Sequence, residues 1–497
     1  MSDDKVRVQL EPSSAVVEVP RGVALASVLT DVGVEFPCGG TALCGSCRVR
    51  VLEGSLSITE SDSSIFSANE LADGWRLACQ AHAETPLVLE CGQWRMDVLT
   101  DNSSLSGACK SGLGIAIDLG TTTIAVQMID MATGNIMGVE TALNPQATYG
   151  SDVMSRIQAA LRRVDLTTVV RDTLRQMIAK LARGREEEIA EVVLVGNTVM
   201  HHLFCSLDIE PLSHVPFHSP HLSAQFFRPK DLGWPLPSGC SIRFERCLGG
   251  FVGSDILAGI LATGISRGED LLVLVDLGTN GEIAIGNRDG IVCASTAAGP
   301  AFEAGSIRMG MRASMGAISH VSLSNGEMRA TVIGDVEARG ICGSGLVDAV
   351  AAGLESGAIL PSGRVADGTK LFPVKAPVVL YQADIRELQL AKAAIASGFR
   401  LLLKRVGAHA DTLKSIYLAG AFGNYVQAES AIRIGLLEAP VERTHASGNT
   451  ALRGAKILLL SDGEPTLPKI EHMNLAAEPG FQDEFAACIA FPETSLR

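Results

Sequence analysis

Twelve cysteines stand in this 497-residue chain, and four of them have a spacing with chemical meaning. The run Phe36-Pro-Cys38-Gly-Gly-Thr-Ala-Leu-Cys44-Gly-Ser-Cys47 puts three thiols in one tight loop, and a fourth, Cys79, follows in Arg76-Leu-Ala-Cys79-Gln. Two irons bridged by two sulfides need four thiolates, two on each iron. Gly39, Gly40 and Gly45 let backbone wrap such a cluster. Zinc ligands usually come as two close pairs, and Cys79 has no near partner. The spacing therefore favours a [2Fe–2S] cluster on Cys38, Cys44, Cys47 and Cys79 over zinc or incidental buried thiols.

A second pattern occurs twice. Gly114-Ile-Ala-Ile-Asp118-Leu-Gly-Thr-Thr-Thr123 and Leu272-Val-Leu-Val-Asp276-Leu-Gly-Thr-Asn-Gly281 both read as a buried strand, a polar turn and a second strand. This is an internal repeat long enough to make two lobes of one fold. Gly120 and Gly278 let each hairpin approach phosphate oxygens. Thr121, Thr122, Thr123, Thr279, Asn280 and Gly281 offer short donors around them. Asp118 and Asp276 cannot favourably face a polyphosphate alone, so a hydrated Mg²⁺ between carboxylate and phosphate is the natural partner. Facing hairpins can clamp a triphosphate such as ATP from both sides. Val192–Gly196 and Ser415–Gly420 are a further matched pair of buried strands ending in glycine; Gly420 and Gly423 would let a nucleoside lie on the backbone.

Other residues have both a chemical and a plain reading. Gly343-Ser344-Gly345, ahead of the helical pattern 346–354, reads as a nucleotide-contacting turn or simply a helix start. Asp152 and Gln146 either face the cleft and orient a water or cap a helix. Asp255 and Glu303, each in a Gly-rich turn, are acids for positioning Mg²⁺ or water. Asp118, Asp276, Asp152 and Glu303 form the candidate catalytic set. His201, His202, His214, His218 and His221 lack a metal-binding register, and the eight other cysteines read as small buried apolar residues.

The elements that must position these groups follow from the same pattern. Alternating runs at 5–10 and 14–19 predict a hairpin, 23–29 a short helix and 48–52 another strand. Residues 101–113 are a polar connector. The expected organisation is a cluster domain over 1–93, a linker over 94–112, a first lobe over 113–267 and a second over 268–497. Apolar residues make up 47% of the chain, which supports real cores, and charged residues only 19%, which argues against disorder. A net charge of −14 disfavours nucleic acid. With no apolar run long enough to span a bilayer and a polar start, the expectation is a cytoplasmic protein with no membrane partner.

Residues 1–93 resemble plant- or adrenodoxin-type ferredoxins, a β-grasp fold, with the x5 gap of the adrenodoxin-like variant. Asp118–Thr123, Asp276–Gly281 and Leu418–Gly423 resemble the two phosphate loops and the adenosine motif of the actin–hexokinase–Hsp70 ATPases. The implied fold mixes α/β and α+β: a ferredoxin-like domain followed by a duplicated actin-like (ribonuclease H-like) ATPase with two lobes. The whole set is similar to reductive activators of corrinoid-dependent enzymes. It adds Asn144-Pro-Gln, Gly196-Asn-Thr-Val-Met-His and Gly249-Gly-Phe-Val-Gly-Ser-Asp to the two Asp-Leu-Gly-Thr hairpins. That resemblance implies ATP-driven transfer of a low-potential electron to Co(II) corrinoid on a methyltransferase protein, fed by an external donor. With about 20 residues between the two halves, it also implies a compact version without a separate middle domain, and it leaves room for a homodimer. The alternatives are an activator of the 2-hydroxyacyl-CoA dehydratase type, a small-molecule kinase of the same superfamily, and a redox-sensing nucleotide-binding scaffold.

Overall fold

The computed structural model describes the chain except residues 1–4, 12–14, 32–33, 35–41, 43–46, 67, 92–99, 104–109, 151, 279, 315, 325 and 494–497. Cys38, Cys44 and Thr279 lie outside the described residues.

The amino-terminal sheet has five strands. Lys5–Glu11 pairs antiparallel with Ala15–Pro20 and parallel with Leu87–Cys91; Arg48–Glu53 follows, and Trp75–Leu77 forms the edge. The alternating apolar side chains Val6, Val8 and Leu10 point inward and pack with Leu25, Leu29, Val49 and Leu89. This is the β-grasp arrangement expected of a ferredoxin. The helix spans Leu25–Asp31, later than expected, because Val23–Ala24 is taken up in a short pairing with His82–Ala83.

Two six-stranded sheets follow, and they repeat one plan. In the first, Leu113–Leu119 pairs antiparallel with Thr123–Asp130, which pairs with Asn135–Leu143; on its other side it runs parallel to Ile189–Gly196. In the second, Leu272–Leu277, Gly281–Asn287 and Gly290–Thr296 form the same meander, and Ser415–Ala419 is the parallel neighbour. The central strands are nearly continuous apolar runs because both faces are covered.

The helices Ser254–Thr263 and Thr450–Leu460 fill the space between the sheets. Ala451, Leu452, Ala455, Leu458 and Leu459 pack on Ala116, Ala125, Val193 and Val195 of the first sheet. Ile256 and Ile260 pack on Leu274 and Ala284 of the second. A helix late in the chain thus closes the core of the earlier lobe, and its amino terminus reaches the floor between the hairpins.

Candidate nucleotide cleft and cluster site

Each phosphate hairpin is a tight turn held by its own backbone. The Gly120 N–H donates to Thr123 O at 3.0 Å, and the Gly278 N–H to Asn280 O at 3.0 Å. The first loop is braced from below: Asn144 Nδ2 donates to Gly120 O at 2.9 Å, and Asn197 Nδ2 to Thr121 Oγ1 at 2.8 Å. Across the cleft, Thr122 Oγ1 donates to Glu303 Oε1 at 3.5 Å, so the two lobes meet at the first loop.

Four carboxylates crowd the cleft floor. Burial pushes Asp118 up to about 6, against a hydrogen bond from Asn449 that lowers it; Asn449 Nδ2 donates to Asp118 Oδ2 at 2.8 Å. Burial, then the negative charge of Asp118, pushes Asp276 up to about 7. Asp255 is raised by burial and by Asp276, and Glu282 well above the carboxylate range by burial and by Asp255 and Asp276. Cross-strand pairing forces part of this crowding, because Asp276 sits directly opposite Glu282, where like charges repel. Asp118, Asp255 and Asp276 are only half-buried as whole residues, so the floor is not sealed from solvent. Among the described residues no three His, Cys, Asp or Glu side chains converge tightly enough to hold a metal alone. That donor set suits Mg²⁺, which keeps several waters and takes one or two carboxylates beside substrate phosphates.

Gly420 joins the adenosine motif to this floor. It has φ +81°, and a Cβ there would lie 2.4 Å from Asp276 Oδ1 and 2.6 Å from Leu277 O. Phe422, in the same motif, stacks on Phe302 at 4.8 Å between ring centroids. Gly423 lies against Leu418 and Leu277.

Several sequence expectations take a different form. Gly343-Ser344-Gly345 lies inside the first turn of the helix Gly343–Glu355 rather than in a turn ahead of it. A Cβ on Gly343 would lie 1.7 Å from Phe302 O, and one on Gly345 2.1 Å from Ile318 O. Close packing thus accounts for both glycines, and Ser344 Oγ donates to Ser319 O at 2.9 Å. Asp152 caps the helix Val153–Leu161, accepting from the Ser155 N–H at 2.9 Å. Gln146 is fully buried and donates to Leu166 O at 2.9 Å, so it holds helices together and does not face the cleft. His201 and His202 are buried in the helix Thr198–Cys205.

Two residues of the floor escaped the sequence reading as site groups. Glu282 was signalled by an acid inside the apolar strand Gly281–Asn287, and Asn449 by a capping residue ahead of the apolar helix Thr450–Leu460.

In the amino-terminal domain, Cys47 is buried and Cys79 half-buried. The Ala78 N–H donates to Cys47 O at 2.9 Å, holding the segments that carry Cys47 and Cys79 side by side. Asp62 Oδ1 accepts from the Leu77 N–H at 2.7 Å and fixes the strand leading to Cys79. This backbone pairing fits a shared cluster. Cys91, Cys247 and Cys293, by contrast, are pushed up to about 12 by burial, which suits inert packing.

Comparison with known proteins now bears on the whole chain. A profile of the 2Fe-2S iron-sulfur cluster binding domain matches residues 8–84. Profiles of the RACo middle region and of the C-terminal ASKHA domain of RACo match 113–268 and 270–497. The corrinoid activation enzyme RamQ of Eubacterium limosum is 35% identical over 414 residues, 75% of this chain and 69% of that protein. The chain belongs to the RACo/RamQ family of corrinoid activators. A reductase of the Co(II) methylated amine-specific corrinoid protein from Methanosarcina barkeri is 28% identical over 70% of each chain. The solved structure of a reductive activator for corrinoid, iron-sulfur protein superposes with TM-score 0.66 at 25% identity, covering 98% of both chains. The fold is therefore a ferredoxin-like domain followed by an ASKHA-type ATPase. One expectation is corrected: the family's middle region is not missing, since its profile falls on residues 113–268. Among the described residues no helix is long and apolar enough to cross a membrane.

Proposed function

We propose that this protein is an ATP-hydrolysing reductive activator that passes a low-potential electron to the Co(II) corrinoid of a partner protein and restores Co(I). The observation that carries the reading is the pairing in one chain of a ferredoxin domain with a hairpin clamp whose floor holds Asp118, Asp255, Asp276 and Glu282. When bound, the [2Fe–2S] cluster supplies one-electron transfer at low potential. Cys38, Cys44, Cys47 and Cys79 would hold it, and an external donor must refill it after each transfer.

MgATP would bind with its phosphates between the Gly120 and Gly278 hairpins and its nucleoside over Gly420–Gly423. Thr121, Thr122, Thr123, Thr279, Asn280 and Gly281 would donate to phosphate oxygens. Asp118 and Asp276 would face Mg²⁺ through its waters, and the cation would relieve the like-charge crowding that raises their proton affinity. Glu303, joined to Thr122 across the cleft, would orient the attacking water. Asp152 has the capping role instead. A corrinoid protein seated on the closing lobes would make closure and electron delivery one event. A homodimer and a cytoplasmic setting fit this reading.

One observation weighs against a small-molecule kinase. The interlobe cavity beside Asn280, about 280 Å³, is lined by groups such as Met154, Phe217, Phe251 and His472, and no carboxylate is among the described residues lining it. A phosphoryl acceptor there would find no carboxylate base, only the His472 imidazole among the described lining residues. The test is ATP turnover alone, with a Co(II) corrinoid protein and with small polyols and acids. Stimulation by the Co(II) protein is expected; a phosphorylated small molecule would overturn the reading.

A further inference from the structure

Lys456 is fully buried, two turns into the helix Thr450–Leu460. Its ammonium donates to Asp101 Oδ2, to Asp101 O at 3.4 Å and to Ser103 O at 2.5 Å. An ammonium has three N–H donors, and here all of them face the segment that joins the ferredoxin domain to the ATPase. The sheet grips the same point from its side, where Gln127 Nε2 donates to Asp101 O at 2.6 Å. Further along, Lys110 Nζ donates to Glu191 Oε2 and to Leu459 O, each at 2.8 Å.

A buried ion pair is rarely better for stability than packed apolar side chains of the same volume. What it supplies is a unique position for the segment it holds. The opposite end of the same helix touches the nucleotide floor, where Asn449 caps the first turn and donates to Asp118. Seven residues separate Asn449 from Lys456, about 10 Å of rigid helix.

We propose that Lys456 is a positioning residue that ties the ferredoxin tether to the nucleotide site, so that the occupancy of the floor at Asp118 sets how firmly Asp101–Ser103 is held. The proposal rests on the reductive-activator reading. With the pin closed, ten residues separate Cys91, the last described residue of the ferredoxin sheet, from its anchor at Asp101. Glu90 of the ferredoxin sheet also meets Arg339 of the ATPase at 3.0 Å, so the pin sets where the connecting chain is held and does not by itself join the two halves.

The test uses the full-length protein with its cluster loaded, in the variants Lys456→Met and Asp101→Asn; the second keeps the shape of the pin and removes its charge. Amide hydrogen exchange at residues 100–103 is followed with and without MgATP, beside the initial rate of Co(I) formation. In the wild type, MgATP is expected to change exchange there severalfold. In both variants that response disappears and the rate falls severalfold, while cluster absorbance stays unchanged and, because the coupling is reciprocal, ATP affinity shifts by the factor by which MgATP changes exchange in the wild type. Exchange at 100–103 that ignores MgATP in the wild type overturns the proposal, as do variants that keep both the response and the full rate. A wild type that makes no Co(I) sinks the functional reading instead, and the exchange measurement still decides the pin.

Discussion

Lowering the pH from 8 to 6 is expected to weaken MgATP binding by about tenfold to twentyfold. Asp276 is pushed up to about 7 by burial and by the Asp118 charge, and Asp118 to about 6 by burial. A carboxylate at 7 is about 90% charged at pH 8 and about 10% charged at pH 6, which costs a cation that needs it charged about tenfold; one at 6 adds about twofold. The combined loss is about 1.8 kcal/mol. The sign for stability runs the other way. Each raised carboxylate stabilises the nucleotide-free fold fully below its unfolded value of 3.8, and that contribution is lost as pH rises through 7. Free protein should therefore lose stability from these groups as pH climbs from about 4 to 7, and MgATP should restore most at pH 8. Titration calorimetry of MgATP at pH 6, 7 and 8 reads the binding arm. Because ATP titrates near this range itself, Asp276→Asn is the control: its affinity should be lower at pH 8, and its loss between pH 8 and 6 should be about tenfold smaller than the wild type's. A wild-type affinity flat from pH 6 to 8, or a slope that Asp276→Asn leaves intact, would refute the crowded-floor argument.

Gly420→Ala should weaken ATP binding by about fivefold or more, because the left-handed conformation costs about 1 kcal/mol. Its Cβ would also lie 2.4 Å from Asp276 Oδ1 and 2.6 Å from Leu277 O; fluorescent-nucleotide titration checks this, and unchanged affinity contradicts the placement of the adenosine motif. Cys79→Ser should abolish the visible absorbance of the cluster while ATP affinity stays within about twofold, since Cys79 sits in the ferredoxin domain far from the hairpins in sequence. Retained colour would mean that another thiol completes the set.

What the sequence revealed depended on range. The alternating hairpin at 5–19, the two Asp-Leu-Gly-Thr turns and the Cys-x5-Cys-x2-Cys loop are local patterns, each legible within fifteen residues. Glu282 became a site residue only through pairing opposite Asp276, which no linear spacing discloses. Asn449 reaches Asp118 across 331 positions, and the crossing helix behind it packs on a sheet built 250–340 residues earlier. Gly343 and Gly345 admit both a ligand-facing turn and a helix start in the sequence, because close backbone packing and phosphate contact both favour glycine, and the structure has the helix start. Asp152 and Gln146 illustrate the same ambiguity: a polar cluster ahead of a helix was resolved into a cap and a buried brace only by tertiary contacts.

The most direct test is an anaerobic absorbance record of a Co(II) corrinoid protein mixed with this protein, its cluster loaded, and a reductant. Co(I) should accumulate when MgATP is added and stay near background without it, and Cys47→Ser should stop it with nucleotide still bound. Equal Co(I) formation with and without MgATP would contradict the coupling of nucleotide clamp to electron transfer.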